Sequence, residues 1–189
     1  MKGYEPNHSY SGSIPVRIRR WTMFEELPKE DLLKIIDAYA KAWQAMDGAY
    51  FLALEKKYGM DVAIEMDKEA WKIFSPIEAK RIMSEFGIQQ GGGLKALEEA
   101  LGYRVYAKLN KQSSEWKDEK TLMFTMNACR VQLARNRKGL PDFPCKQVGE
   151  IEYSYFAETI DPRIKTRCIF CPPEEHPAEA YCRWEFTLE

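Results

Sequence analysis

Histidine is nearly missing from this chain: its 189 residues include two, His8 and His176. That scarcity makes a Cys–His nucleophilic pair a poor hypothesis, because such a thiol needs a base within hydrogen-bond reach. Long apolar runs are missing too. The longest, Ala49-Tyr50-Phe51-Leu52-Ala53-Leu54, falls far short of the ~20 residues that cross a bilayer. The first residues are polar and carry no apolar h-region, so no secretory signal is expected. Charge of one sign is not in excess. The 28 basic and 29 acidic residues give a net charge of −1, so there is no electrostatic reason to expect nucleic acid or an anionic membrane as partner. Gly91-Gly92-Gly93 lacks the Lys-Ser/Thr of a phosphate loop and reads as a hinge.

What is present suits one domain: 45% of residues are hydrophobic and 13% aromatic, enough to bury a full core. Residues 1–26 read as a tail or arm, with a short strand or irregular lead-in near 16–24, and residues 27–189 as a single domain. A helix is predicted over 28–58, opened by Pro28 and an acidic first turn, with an apolar stripe of Leu32, Ile36, Ala40, Trp43, Tyr50, Leu54 and Tyr58. A second runs over 61–74, with Val62, Met66, Ala70, Ile73 and Phe74 on its apolar face. A third starts at the Ser75-Pro76-Ile77-Glu78 signal, which accounts for Glu78 as a capping residue. A fourth spans 94–110. The period then becomes two: strands are predicted near 113–117 and over 121–129, then an Arg-rich helical turn over 130–138. A helix over 145–159, with Val148, Ile151, Tyr155 and Phe156 apolar, and strands over 165–170 and 181–188 complete the order. Helices first and strands later argue for an α+β fold with an antiparallel sheet covered on one face.

Four of the five cysteines fall in the last third, spaced C-x22-C-x2-C-x10-C: Cys145, Cys168, Cys171 and Cys182. Without a secretory signal, metal binding is a better reading than disulfides, and a reducing cytoplasm is the expected location. Four thiolates suit a structural zinc; an iron–sulfur cluster, or metal-free buried thiols, are the alternatives. Cys145 opens a helix, whose positive end favours the thiolate. His176 is the alternative fourth ligand. Cys129 stands apart, followed by Arg130, Arg135 and Arg137. It is either a buried small residue or a reactive thiol in an anion pocket.

Asp47 falls on the Trp43–Tyr50 stripe beside Gly48, which breaks the local helical rule. A kink, or a carboxylate bonded to a neighbouring Tyr or Trp, is the simpler account. The other is a general base, with Asp67 as a second candidate. Three functions stay open. One is a small-molecule-binding domain, with Trp43, Asp47, Trp71 and Trp184 around an apolar pocket, Arg130 as a further contact and zinc as a staple. The others are a hydrolase acting on a small cyclic amide or thiazoline, and an assembly protein without a small ligand.

Two resemblances attach to these residues. Through WQAMDGAYFLALEKKYG, MNACRVQLARNRKGLPDFPCK, IDPRIKTRCIFCPP and HPAEAYCRWEF, residues 27–189 resemble an uncharacterised prokaryotic family of cytosolic proteins. Its members are often labelled as similar to L-2-amino-thiazoline-4-carboxylate hydrolase. The cysteine frame is also similar to the zinc site of 4-vinyl-reductase-type domains, with Cys145, Cys171 and Cys182 at the first, third and fourth ligand positions. Cys168 stands where those domains have an acidic residue, which makes this set all-thiolate. That second resemblance implies an α+β fold, a ligand cavity between helices and sheet, zinc and a homodimer.

Overall fold

The computed structural model describes residues 24–189. The tail and the possible strand near 16–24 therefore lie almost wholly outside the described residues. Helix α1 (Lys29–Tyr58) follows Pro28, with Glu30 and Asp31 in its first turn and Lys56 and Lys57 in its last, the arrangement its dipole favours. It stays helical through Asp47-Gly48. Gly59, at φ 86°, supplies the left-handed corner into α2 (Met60–Phe86).

Helix α2 corrects the predicted restart at Ser75. It runs unbroken through Pro76, although proline removes a backbone donor and crowds the preceding turn. Packing is the reason. Trp71, Ser75, Glu78, Ala79, Ile82 and Met83 are buried at helical spacing, along the helix's extensive contact with α6 (Lys146–Ile160). Glu78 is consequently a buried side chain and not a cap. The predicted fourth helix divides in two, α3 (Gly93–Tyr103) and α4 (Val105–Leu109), because Arg104 adopts an extended conformation with ψ 150°. The glycine triplet is an anchored turn, not a hinge: Gly91 N–H donates to the Ile160 carbonyl (2.8 Å) and Gly93 N–H to Asp161 Oδ2 (3.0 Å).

Strands β1 (Lys111–Asp118) and β2 (Thr121–Ala128) form a hairpin whose turn is held by Lys120 N–H on Asp118 Oδ1. After the seven-residue α5 (Arg130–Asn136) and α6 come β3 (Ile164–Phe170) and β4 (Cys182–Leu188). The sheet order is β1-β2-β4-β3, antiparallel throughout, which makes the fold α+β. Leu122, Phe124 and Met126 pair across β2 and β4 with Phe186, Trp184 and Cys182. These residues join Phe156, Ala157 and Ile160 of α6 in the main core. On α6 the buried tyrosine is Tyr153, whereas Tyr155 faces out. Gly149 lies against Trp184, and a Cβ there would stand 2.6 Å from the indole.

Candidate functional site

The cysteines come from four places. Cys145 precedes the first turn of α6, Cys168 lies in β3, Cys171 follows that strand and Cys182 opens β4. The β3–β4 pairing slips between Cys168 and Phe170, inside the x2 gap, and such a bulge bends the strand end. All four sulfurs converge. Cys171 Sγ stands 3.5 Å from Cys145 Sγ, and the thiols of Cys145, Cys168 and Cys182, in that order, push the Cys171 pKa up. Gln132 Nε2–H points at Cys145 Sγ (3.5 Å) and Trp184 Nε1–H at Cys182 Sγ (3.4 Å). Such donors stabilise thiolates and fix the orientation of ligands. Among the described residues no set of three or more His, Cys, Asp or Glu stands at metal-holding spacing. The sulfurs touch as a packed cluster. A zinc–sulfur bond of 2.3 Å implies tetrahedral S···S edges of about 3.8 Å, so the 3.5 Å pair needs only a small expansion. Four thiols are a donor set that suits zinc in chemistry. His176 points elsewhere, toward the Pro177 carbonyl (3.1 Å) and Asp142 Oδ2 (3.4 Å).

Beside this cluster lies a cavity of about 490 Å³ between α1, α2, α5, α6 and the sheet. Cys145, Cys171 and Cys182 form part of its wall, so the cysteine cluster and the cavity share atoms. Most of the residues singled out from sequence meet here: Asp47, Asp67, Trp71, Cys129, Arg130 and Trp184 all line it. Trp43 does not. It packs behind the wall on Phe74 and Tyr106, each ring centroid 5.8 Å away.

The interior is acidic. Burial raises the Asp47 carboxyl above its usual range. Burial, followed by the negative charges of Asp47 and Glu152, lifts Asp67 to about 7, partly offset by a hydrogen bond from Trp71. Glu152 is raised by burial and held down in part by Arg104. Arg104 itself is 4% exposed and sits over the Phe156 ring at 4.7 Å. Its Nε–H donates to Glu78 Oε2 (2.8 Å), and its Nη2 stands 2.7 Å from Glu152 Oε1. One guanidinium thus serves two carboxylates directly. Arg135 is held by Glu55 and the Pro141 carbonyl.

Of the two readings of Cys129, its surroundings favour the buried small residue over the reactive thiol. Burial pushes it up to about 12, so at neutral pH it is a protonated, weakly reactive group. Sequence reasoning missed Arg104, Glu152, Tyr106 and Tyr153. Glu152 had a usable signal: it falls four residues after Val148, on the buried side of α6, where an unpaired carboxylate is unexpected. Arg104 had none, because its burial follows from the break between α3 and α4.

No curated protein and no solved structure matches the chain. A family model does match, over residues 25–188, and by it the chain belongs to a family of unknown function, DUF6125.

Proposed function

We propose that this protein is a small-molecule-binding domain whose C-terminal half is fastened by a structural zinc on Cys145, Cys168, Cys171 and Cys182. The observation that carries the reading is the shared wall. A cavity of about 490 Å³, of the size ligand pockets have, is bounded by three cysteines of the cluster, Cys145, Cys171 and Cys182. Trp71, Trp184 and Phe51 supply apolar surface, and Asp47 and Asp67 supply polar anchors. A four-thiolate site leaves the metal no open position, so zinc would act on the fold and not on a substrate. The likeness of the cysteine frame to 4-vinyl-reductase-type zinc domains supports the same assignment. So does the continuation of α6 directly from Cys145: a metal there ties that helix to β3 and β4.

Elemental analysis of the purified chain tests the metal. One zinc per chain is expected, falling below a fifth of that in Cys171→Ser, with a lower melting temperature. Full metal content in Cys171→Ser removes the site. Iron with visible absorbance would point to a cluster instead. Ligand binding is tested by mass spectrometry of small molecules released from the natively purified chain.

One observation favours a second reading, a hydrolase. Asp67 is held at about 7, where a carboxyl exchanges protons at neutral pH. In that case Asp67→Asn lowers turnover of a small cyclic amide or thiazoline at least a hundredfold. Unchanged turnover removes Asp67 as base.

A further inference from the structure

The charges inside the cavity say more about its occupant than its size does. Asp47, Asp67 and Glu152 all line it. The nearby cation buried with them is Arg104, and it is already engaged by both Glu78 and Glu152. Among the described residues Asp47 and Asp67, both half-buried, are thus left without a cation of their own, and a partly desolvated carboxylate is costly unless paired. The remaining basic groups on the wall stand differently. Lys41, Arg137 and Lys138 are exposed, Arg130 is half-buried, and Arg135 is bound to Glu55. Water and salt screen the exposed ones.

A second observation is independent of the carboxylates. Tyr153 lines the same cavity and is 5% exposed, and its hydroxyl has no hydrogen-bond partner among the described residues. That hydroxyl is not sealed off from solvent, so a polar ligand entering the cavity can pair with it. The walls nearby are aromatic: Trp71 and Tyr106 lie close to each other, with centroids 5.9 Å apart, and Phe51 packs on Phe143 at 4.8 Å. Aromatic faces attract a cation and also cover an apolar body.

We propose that the cavity takes a protonated amine with an apolar or aromatic body, its ammonium group set between Asp47 and Asp67 and within reach of the Tyr153 hydroxyl. This rests on the reading of the cavity as a ligand site and deepens it by naming the ligand class. An ammonium group supplies three donors, enough for two carboxylates and a phenol oxygen. It also places a positive charge where three carboxylates now repel one another.

The test uses the 189-residue chain, as purified, and three probes of similar size: 2-phenylethylamine, 2-phenylethanol and 3-phenylpropionate. Binding is read by calorimetry and by tryptophan fluorescence. The amine is expected to bind at least tenfold more tightly than the alcohol, and the acid more weakly than both. Asp47→Asn and Asp67→Asn, each confirmed as folded by circular dichroism, should each reduce amine binding at least tenfold and leave the alcohol unchanged. Equal or tighter binding of the alcohol or the acid overturns the amine assignment while the ligand-site reading survives. Should none of the three bind at millimolar concentration, both readings fall. The probe series on the unmodified chain decides the matter even if a variant does not fold.

Discussion

A carboxyl that titrates near pH 7 makes the folded state pH-sensitive in a definite direction. Asp67 is lifted to about 7 from its ordinary 3.8, so between those values the folded chain holds a proton that the unfolded chain has lost. Stability therefore falls as pH rises from about 4 to about 7 and is flat beyond, with an upper bound of about 4 kcal/mol for this one group. Asp67→Asn should be more stable than the parent at pH 8 by about 1–3 kcal/mol and should weaken the slope between pH 5 and pH 7. Asp47 and Glu152 are raised in the same sense, so the slope shrinks without vanishing. Urea melts at pH 5, 6, 7 and 8 read this directly, and an unchanged slope in the variant refutes it. Arg104 gives the opposite case. Removing its charge in Arg104→Met strands Glu78 and Glu152 in a buried site, a loss of about 3–5 kcal/mol. Adding Glu78→Gln and Glu152→Gln should recover most of that loss in the same urea melts. No recovery would mean that the guanidinium acts through its aromatic packing and not its charge.

At the scale of elements, α6 positions the most. It starts from a cysteine of the cluster, carries Glu152 and Tyr153 into the cavity, and presses Gly149 against Trp184. An alanine ordinarily strengthens a helix over glycine by up to about 1 kcal/mol. Here the added methyl meets a fully buried indole, so Gly149→Ala should cost about 1–3 kcal/mol in thermal melts. A gain in stability would show that α6 shifts freely, which its burial argues against. The strands, α6 and the C-terminal cysteine frame were legible because period-two runs and Cys spacing are local signals. The α2 continuation was not. Ser75-Pro76-Ile77-Glu78 carries every local mark of a helix start, and only the burial of Trp71, Ala79 and Ile82 against α6 overrides it. The cavity's carboxylates were half legible: Asp47 and Asp67 stood out, whereas the Arg104 ion pairs depend on a chain break that no propensity reveals.

For the whole molecule, the sequence misplaced one apolar stripe, and the reason is informative. Val62, Met66 and Ile73 recur at helical spacing and read as the core face of their helix. In the structure Val62, Met66, Ile73 and Ile77 are exposed, Ile73 by 68%, while Ala63, Ile64 and Trp71 turn inward. Helix α1 likewise leaves Ile36, Tyr39, Met46 and Tyr50 open, the last two by 70% and 65%. Periodicity reports that a stripe is apolar, not whether it meets its own chain or another. Apolar residues scattered singly over a surface need no explanation, whereas rows along two neighbouring helices are what a homodimer would have to bury. The homodimer expected from the likeness of the cysteine frame is the assembly these rows can be tested for. A two-fold dimer would set each such face against its own copy. Sedimentation equilibrium at micromolar concentration should then give twice the 22.0 kDa chain mass. Met66→Glu with Ile73→Glu should return the monomer with little change in circular dichroism, because both side chains already face solvent within one chain. A monomeric parent, or a dimer untouched by the double substitution, would place the contact elsewhere and leave these rows without a role in assembly.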